Sequence, residues 1–287
     1  NAFEHILEGG GEILAARIVG GYIGVWTDKE FWLGEFLGNP GQTYRFDRVA
    51  DKCGISSPNA VAVLGSTAIW LASDYQFRIW NVGGVPQILQ CPIHRDFRDN
   101  IEQTQVDKVV AATVAQFGEV WFFYPDSRDG LEVSRFLAYS FRESEFSGRT
   151  VWFKGDVART AAQDAGAISH PLMVTYDGMA YLHETGDADI DWSIKTTDQY
   201  LDESQREMMV RTVYPDFEKQ NGNINLTLYV RPYPMSAPAT KGPYPISTTE
   251  TKKDFRASGK LMAAEWSGSE AARIGKPMFD MVLTGAR

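Results

Sequence analysis

Three aspartates at alternate positions, Asp187, Asp189 and Asp191, are the most chemically suggestive group in this sequence. Alternate residues of an extended chain share one face, so their carboxylates could converge on one hard cation such as Ca2+. The tract lacks the mid-loop glycine and closing glutamate of an EF-hand loop, and a run of Asp is ordinarily a solvated turn. It stands as a weak metal candidate, and neither a metal nor a cofactor is expected. The histidines, His5, His94, His170 and His183, are scattered. No two have the i, i+4 or i, i+2 spacing that metal sites use, so each reads as a surface or hydrogen-bonded structural residue. Acyl transfer lacks a nucleophile, since no serine sits in a G-x-S-x-G elbow. Gly9-Gly10-Gly11 is not followed by the Lys-Ser/Thr of a phosphate loop and reads as a plain loop. Asn225-Leu226-Thr227 fits a glycosylation sequon, but with no secretion signal the match is chance. These residues predict a protein that is not an enzyme.

Length and composition narrow the classes further. With 287 residues and 44% hydrophobic content, the chain can bury one large core or two smaller ones without disulfides or metal. Its formal net charge of −9 argues against gripping nucleic acid, which takes clustered Lys and Arg. No apolar run reaches the length of a bilayer-spanning helix, so a soluble protein without membrane contact is expected. Two cysteines, Cys53 and Cys91, are too few for a disulfide framework and read as free, half-buried thiols. The opening Asn1-Ala2-Phe3-Glu4-His5 has neither Met nor leader and reads as a tag remnant joined to an internal domain boundary, implying a longer parent.

The elements that must carry these residues are strands. Four pairs of aromatic or β-branched runs flank polar turns. They are Ile23-Gly24-Val25-Trp26 with Phe31-Trp32-Leu33, and Ala68-Ile69-Trp70-Leu71 with Phe77-Arg78-Ile79-Trp80. A third joins the run from Glu119 to Tyr124 to Phe136-Leu137-Ala138-Tyr139, and a fourth joins Leu172-Met173-Val174 to Met179-Ala180-Tyr181-Leu182. Each predicts a hairpin. They recur every ~45 to 55 residues, the spacing of four-stranded propeller blades. The eight Trp and sixteen Phe then serve as packing between blades. One short helix is predicted over Pro92–Gln103, with Phe97 and Ile101 on one face.

Beyond about Tyr200 the pattern changes. Ile224, Leu226, Leu228 and Val230 alternate with polar residues as a strand with one wet face does, a Pro-rich connection runs from Pro232 to Pro245, and strands follow at Lys260–Trp266 and Met278–Leu283. The expected fold is therefore all-β: propeller-like antiparallel meanders over residues 3–200, incomplete if the parent is longer, then a β-sandwich-like domain over 201–287.

Several segments in order, Ile13-Leu14-Ala15-Ala16-Arg17, Val25-Trp26-Thr27-Asp28, the run from Cys53 to Ala60, Cys91-Pro92-Ile93, Ala158-Arg159-Thr160-Ala161 and Asp254 to Lys260, carry a likeness. The text resembles a family of phage and prophage virion proteins of the tail. The resemblance spans almost the whole chain and implies a β-rich tail component, at the hub or nozzle, that assembles with other virion proteins as a homo-oligomeric ring. It supplies no catalytic residues. A different class, a carbohydrate-binding or carbohydrate-degrading propeller, would need two carboxylates flanking a sugar bond beside an aromatic platform. The sialidase-type repeat S-x-D-x-G-x-T-W is absent, and Ser73 to Trp80 resembles it only superficially.

Overall fold

The computed structural model describes residues 6–9, 11–39, 42–186, 190–201 and 206–284. The chain divides into two compact units, Asn1–Thr185 and Gly186–Arg287.

The first unit is a succession of antiparallel meanders, in each of which the order of strands in space is their order in sequence. The first comprises Ile13–Val19, Tyr22–Thr27, Phe31–Asn39 and Gln42–Ala50, and the second Val61–Leu64, Thr67–Leu71, Phe77–Asn81 and Gln87–Ile88. The third comprises Val110–Val114, Glu119–Pro125, Val133–Ser140 and Val151–Gly155, and a three-stranded fourth Ala161–Gln163, Leu172–Val174 and Ala180–Leu182. In each case the hairpin legible in the sequence is the second and third strand. In the first three meanders those central strands are largely covered on both faces and so read as near-continuous apolar runs, whereas Ala180–Leu182 of the fourth is an exposed edge strand. Outer strands carry weaker text, and Gln87–Ile88 is wholly exposed. The first strand of each meander lies against the first strand of the next. Gly20 and Gly21, at φ +56° and +88°, make the tight turn that returns Val19 to Tyr22.

Aromatic rings fill the space between these sheets. Phe31 of the first meander meets Trp70 and Trp80 of the second, with ring centres 5.5 and 5.0 Å apart. Phe77 of the second meets Phe122 and Trp152 of the third at 4.9 and 4.7 Å. Trp26, Trp70, Trp80, Phe31, Phe77 and Phe122 are all fully buried. A smaller cluster, including Phe123, Phe136 and Met173, packs the third meander on the fourth.

The predicted helix forms over His94–Asn100, between the second and third meanders, with Phe97 buried. A second one, Phe141–Ser147, was not legible as a periodic pattern because it is short. Its local signals are nonetheless present: the Ser140 hydroxyl accepts from the Glu143 N–H at the start, and Gly148 at φ +67° ends it. No helix among the described residues is long and apolar enough to cross a membrane.

In the second unit, Leu261–Gly268 pairs on one side with Ile224–Arg231 and on the other with the short strands Trp192–Lys195 and Gln199–Tyr200. Lys253–Gly259, Met208–Tyr214 and Met278–Leu283 form another sheet. Side chains from both sheets, among them Val210, Val213, Leu226, Leu228, Phe255 and Trp266, share one core. The strand Ile224–Arg231 keeps the alternation read from its sequence, with Ile224, Leu226, Leu228 and Val230 buried.

Two expectations are corrected here. The division falls after Thr185, not near residue 201, because Trp192–Lys195 and Gln199–Tyr200 pair with residues 61 to 76 positions further on, from Tyr200 with Leu261 to Trp192 with Gly268, and leave no local signal. The Pro-rich connection contains the strand Ala239–Ile246, at the edge of its sheet, where a proline's missing N–H can face away from the ladder.

Candidate functional site

The residues singled out by sequence do not form one site. Asp187 and Asp189 lie outside the described residues, and Asp191 is exposed. Among the described residues, no three His, Cys, Asp or Glu side chains gather where they could hold a metal ion. His5 also lies outside the described residues. His94 has Nε2 2.7 Å from the Tyr75 carbonyl and packs edge-on to Phe77. His170 is half-buried, and its Nδ1 has no hydrogen-bond partner among the described residues. His183 accepts from Arg159. In the N-terminal loop, a Cβ on Gly9 would overlap the Glu30 carboxylate and one on Gly11 the Asp28 carboxylate, so these glycines make room for acids instead of phosphate. Cys53 and Cys91 are both free; Cys53 is fully buried and Cys91 half-buried.

One charge cluster among the described residues carries no motif in the sequence. It ties the helix His94–Asn100 to the turn after Glu119–Pro125. Asp126, wholly buried, is gripped by Arg128 and lies 3.5 Å from Arg135. Arg128 also reaches Asp96 at 3.1 Å, and Lys154 meets the other oxygen of Asp96 at 2.8 Å. Hydrogen bonds from Lys154 hold the Asp96 carboxyl below its usual range, aided by Arg128. Burial would raise the Asp126 carboxyl, but hydrogen bonds from the Arg128 side chain and backbone, with the Arg135 charge, outweigh it and lower it. Backbone bonds run alongside, from Glu102 N–H to the Pro125 carbonyl and from Ser127 N–H to the Asn100 carbonyl, at 3.0 and 2.8 Å. Every charge here is answered by a neighbour, so the cluster clamps two segments together. An available signal was the turn Pro125-Asp126-Ser127-Arg128, in which Asp commonly bonds the backbone two residues on.

A different feature faces outward. The register of Phe31–Asn39 with Tyr22–Thr27 ends at Gly34, whereas its pairing with Gln42–Ala50 continues to Asn39 and Gln42. Residues 35–39 and 42–45 therefore overhang the sheet as a two-stranded ribbon. One face carries a ladder of rings, Phe36 to Tyr44 at 5.3 Å and Tyr44 to Phe46 at 6.5 Å. Phe36 is 63% exposed and Tyr44 42%. On the other face Arg45 pairs with Glu35 at 2.8 Å and Asp47 at 2.7 Å. Phe36 with Tyr44 and Glu35 with Arg45 are pairs that join the two strands, and cross-strand pairs of this kind help to stabilise a two-stranded ribbon. In the sequence, the turn-forming residue types of Gly38-Asn39-Pro40-Gly41 between alternating aromatics are the signal for such a hairpin.

The second unit holds a cavity of about 140 Å³ lined by Tyr200, Leu201, Met262, Phe279 and Met281 among others. It is smaller than the ~300 Å³ at which ligand pockets begin and has no charged lining.

No protein-family model and no curated protein matches the chain. Solved structures align over much of it at low similarity. One is a chain from an S. cerevisiae complex of Dbp5 bound to Nup159, Gle1, IP6 and ADP, at 8% identity and a TM-score of 0.31, covering 89% of this chain and 76% of that one. Another is a glycoside hydrolase, at 10% identity and a TM-score of 0.26, covering 93% of this chain and 83% of that one.

Proposed function

We propose that the chain is a non-catalytic structural component of a phage or prophage tail, of the hub or nozzle type, built from propeller-like meanders and working by protein–protein contact within the virion. The observation that carries this reading is the overhanging ribbon. A ring ladder held in water on a two-stranded arm is costly for the isolated chain and useful where a neighbour covers it. The occupant of this face is another copy of the chain or an adjoining virion protein in a ring. Support also comes from charge: a net −9 suits a conduit wall that must pass DNA without holding it. The successive meanders with adjoining first strands suit a rigid scaffold, as propeller blades do.

The test is mass spectrometry of density-purified particles from the induced source strain. Peptides of this chain at several copies per particle are the expected result. Their absence from intact particles would overturn the proposal and favour the glycan-directed class instead.

A further inference from the structure

Arg159 lies in the connection between Val151–Gly155 and Ala161–Gln163 and is half-buried. Its guanidinium rests on the ring of Tyr181, with Cζ 4.4 Å from the centroid. Nε donates to His183 Nε2 at 2.8 Å, and Nη1 donates to the Ala158 carbonyl at 2.7 Å. Because a guanidinium only donates, His183 Nε2 is the bare nitrogen of a neutral imidazole whose proton sits on Nδ1. His183 is itself fixed, by its backbone N–H to the Pro171 carbonyl at 2.8 Å and by an edge contact to Trp121 at 6.2 Å. Glu119, on the strand of Trp121, is occupied by that indole's N–H at 2.9 Å.

What the arrangement lacks is an anion. Arg159 is only half-buried, yet among the described residues no carboxylate pairs with it, and partial burial lowers the pKa of its guanidinium with the Tyr181 ring alone acting against it. The plane of the guanidinium is set from three sides, and Nη2 makes no hydrogen bond within the chain among the described residues. A held guanidinium with in-plane N–H groups to spare is a receptor for a planar oxyanion. With a single cation present, a monoanion matches the charge better than a phosphate dianion.

We infer that Arg159, flanked by Tyr181 and His183, is a binding site for a carboxylate group. The site lies on the connection after the third meander, apart from the aromatic ribbon of the first, and does not depend on the tail proposal.

The test is a titration of the whole chain with sodium acetate at constant ionic strength, following the His183 ring by NMR, with sodium chloride and inorganic phosphate run in parallel. Acetate should give a saturable shift and raise the His183 pKa, because the bound carboxylate offsets the neighbouring positive charge. Arg159→Gln, verified as folded by its thermal transition, should weaken acetate at least about tenfold, the worth of one charge-assisted pair. Arg159→Lys should weaken it as well, since an ammonium lacks the fork, and it carries the test if the glutamine variant misfolds. Absence of saturation with acetate, saturation with phosphate alone, or an undiminished response in these variants would overturn the site. So would a response seen only in the double variant Asp187→Asn, Asp189→Asn, because the chain's own acidic tract would then be the ligand.

Discussion

Arg128 closes both prongs of its guanidinium on the carboxylate of Asp126, Nε to Oδ1 at 2.7 Å and Nη2 to Oδ2 at 2.5 Å. Asp126 is wholly buried, so removing Arg128 strands a charge that water cannot reach. Arg135 remains nearby and Arg128 is itself partly exposed, which places the cost at the lower end of the range for such pairs. Arg128→Ala should therefore destabilise by about 2 kcal/mol in urea unfolding. The double variant Asp126→Ala, Arg128→Ala should cost less than the sum of the two single changes, and strict additivity would mean the pair is not coupled.

The same network sets an acid limit. Asp96 and Asp126 are both held below the ordinary carboxylate range in the folded chain. A depressed folded pKa contributes stability that is present above the unfolded value, near 3.9, and is lost as pH falls through the folded value. Unfolding midpoints should therefore be flat from neutral pH to about pH 5 and fall below about pH 4. Arg128→Ala should fall less steeply over the acid range, which a set of urea curves at stepped pH would reveal.

On the aromatic ribbon, stability and assembly should separate. Phe36→Ser with Tyr44→Ser removes one exposed cross-strand pair, worth about 1 kcal/mol or less. Purified particles should nonetheless carry little of this variant compared with the unmodified chain when both are co-expressed. Equal incorporation would remove the ribbon from the assembly interface. Phe122→Ala, in the fully buried core, should instead cost about 3 to 5 kcal/mol and serves as the contrasting control.

Gly54 is required by close approach. A Cβ there would overlap the peptide joining Asp28 to Lys29, and backbone atoms cannot step aside as a side-chain tip can. Gly54→Ala should destabilise by at least about 2 kcal/mol, as overpacking does. Gly166→Ala, which would meet nothing within 4 Å, should lie within about 0.5 kcal/mol of the parent by the same measurement.

Both thiols should be unreactive in the folded chain. Burial pushes Cys53 and Cys91 up to about 11, so few thiolates exist at pH 8. A thiol reagent at that pH should label neither quickly, and urea should release both together with unfolding of the first unit. Rapid labelling of Cys53 in native buffer would show that the region around the Trp26 and Trp70 rings opens on its own.

The sequence by itself determined that the fold is all-β, and it located the second and third strands of every meander. In the first three meanders those strands are largely covered on both faces, so their identity is written in consecutive residues such as Glu119 to Tyr124, while the exposed strand Ala180–Leu182 is marked by the Asp177-Gly178 turn before it. It also determined the alternation of Ile224 to Val230, because one wet face imposes a period of two. Tertiary structure alone decided which distant strands pair. Trp192–Lys195 gains its place from Leu261–Gly268, and no local pattern records a partner so far along the chain. The buried acid Asp126 and the anionless guanidinium of Arg159 belong to the same class. A carboxylate in a turn and an arginine in a connection look solvated in sequence, and only the segments folded over them fix whether their charge meets a partner, meets water, or waits for a ligand.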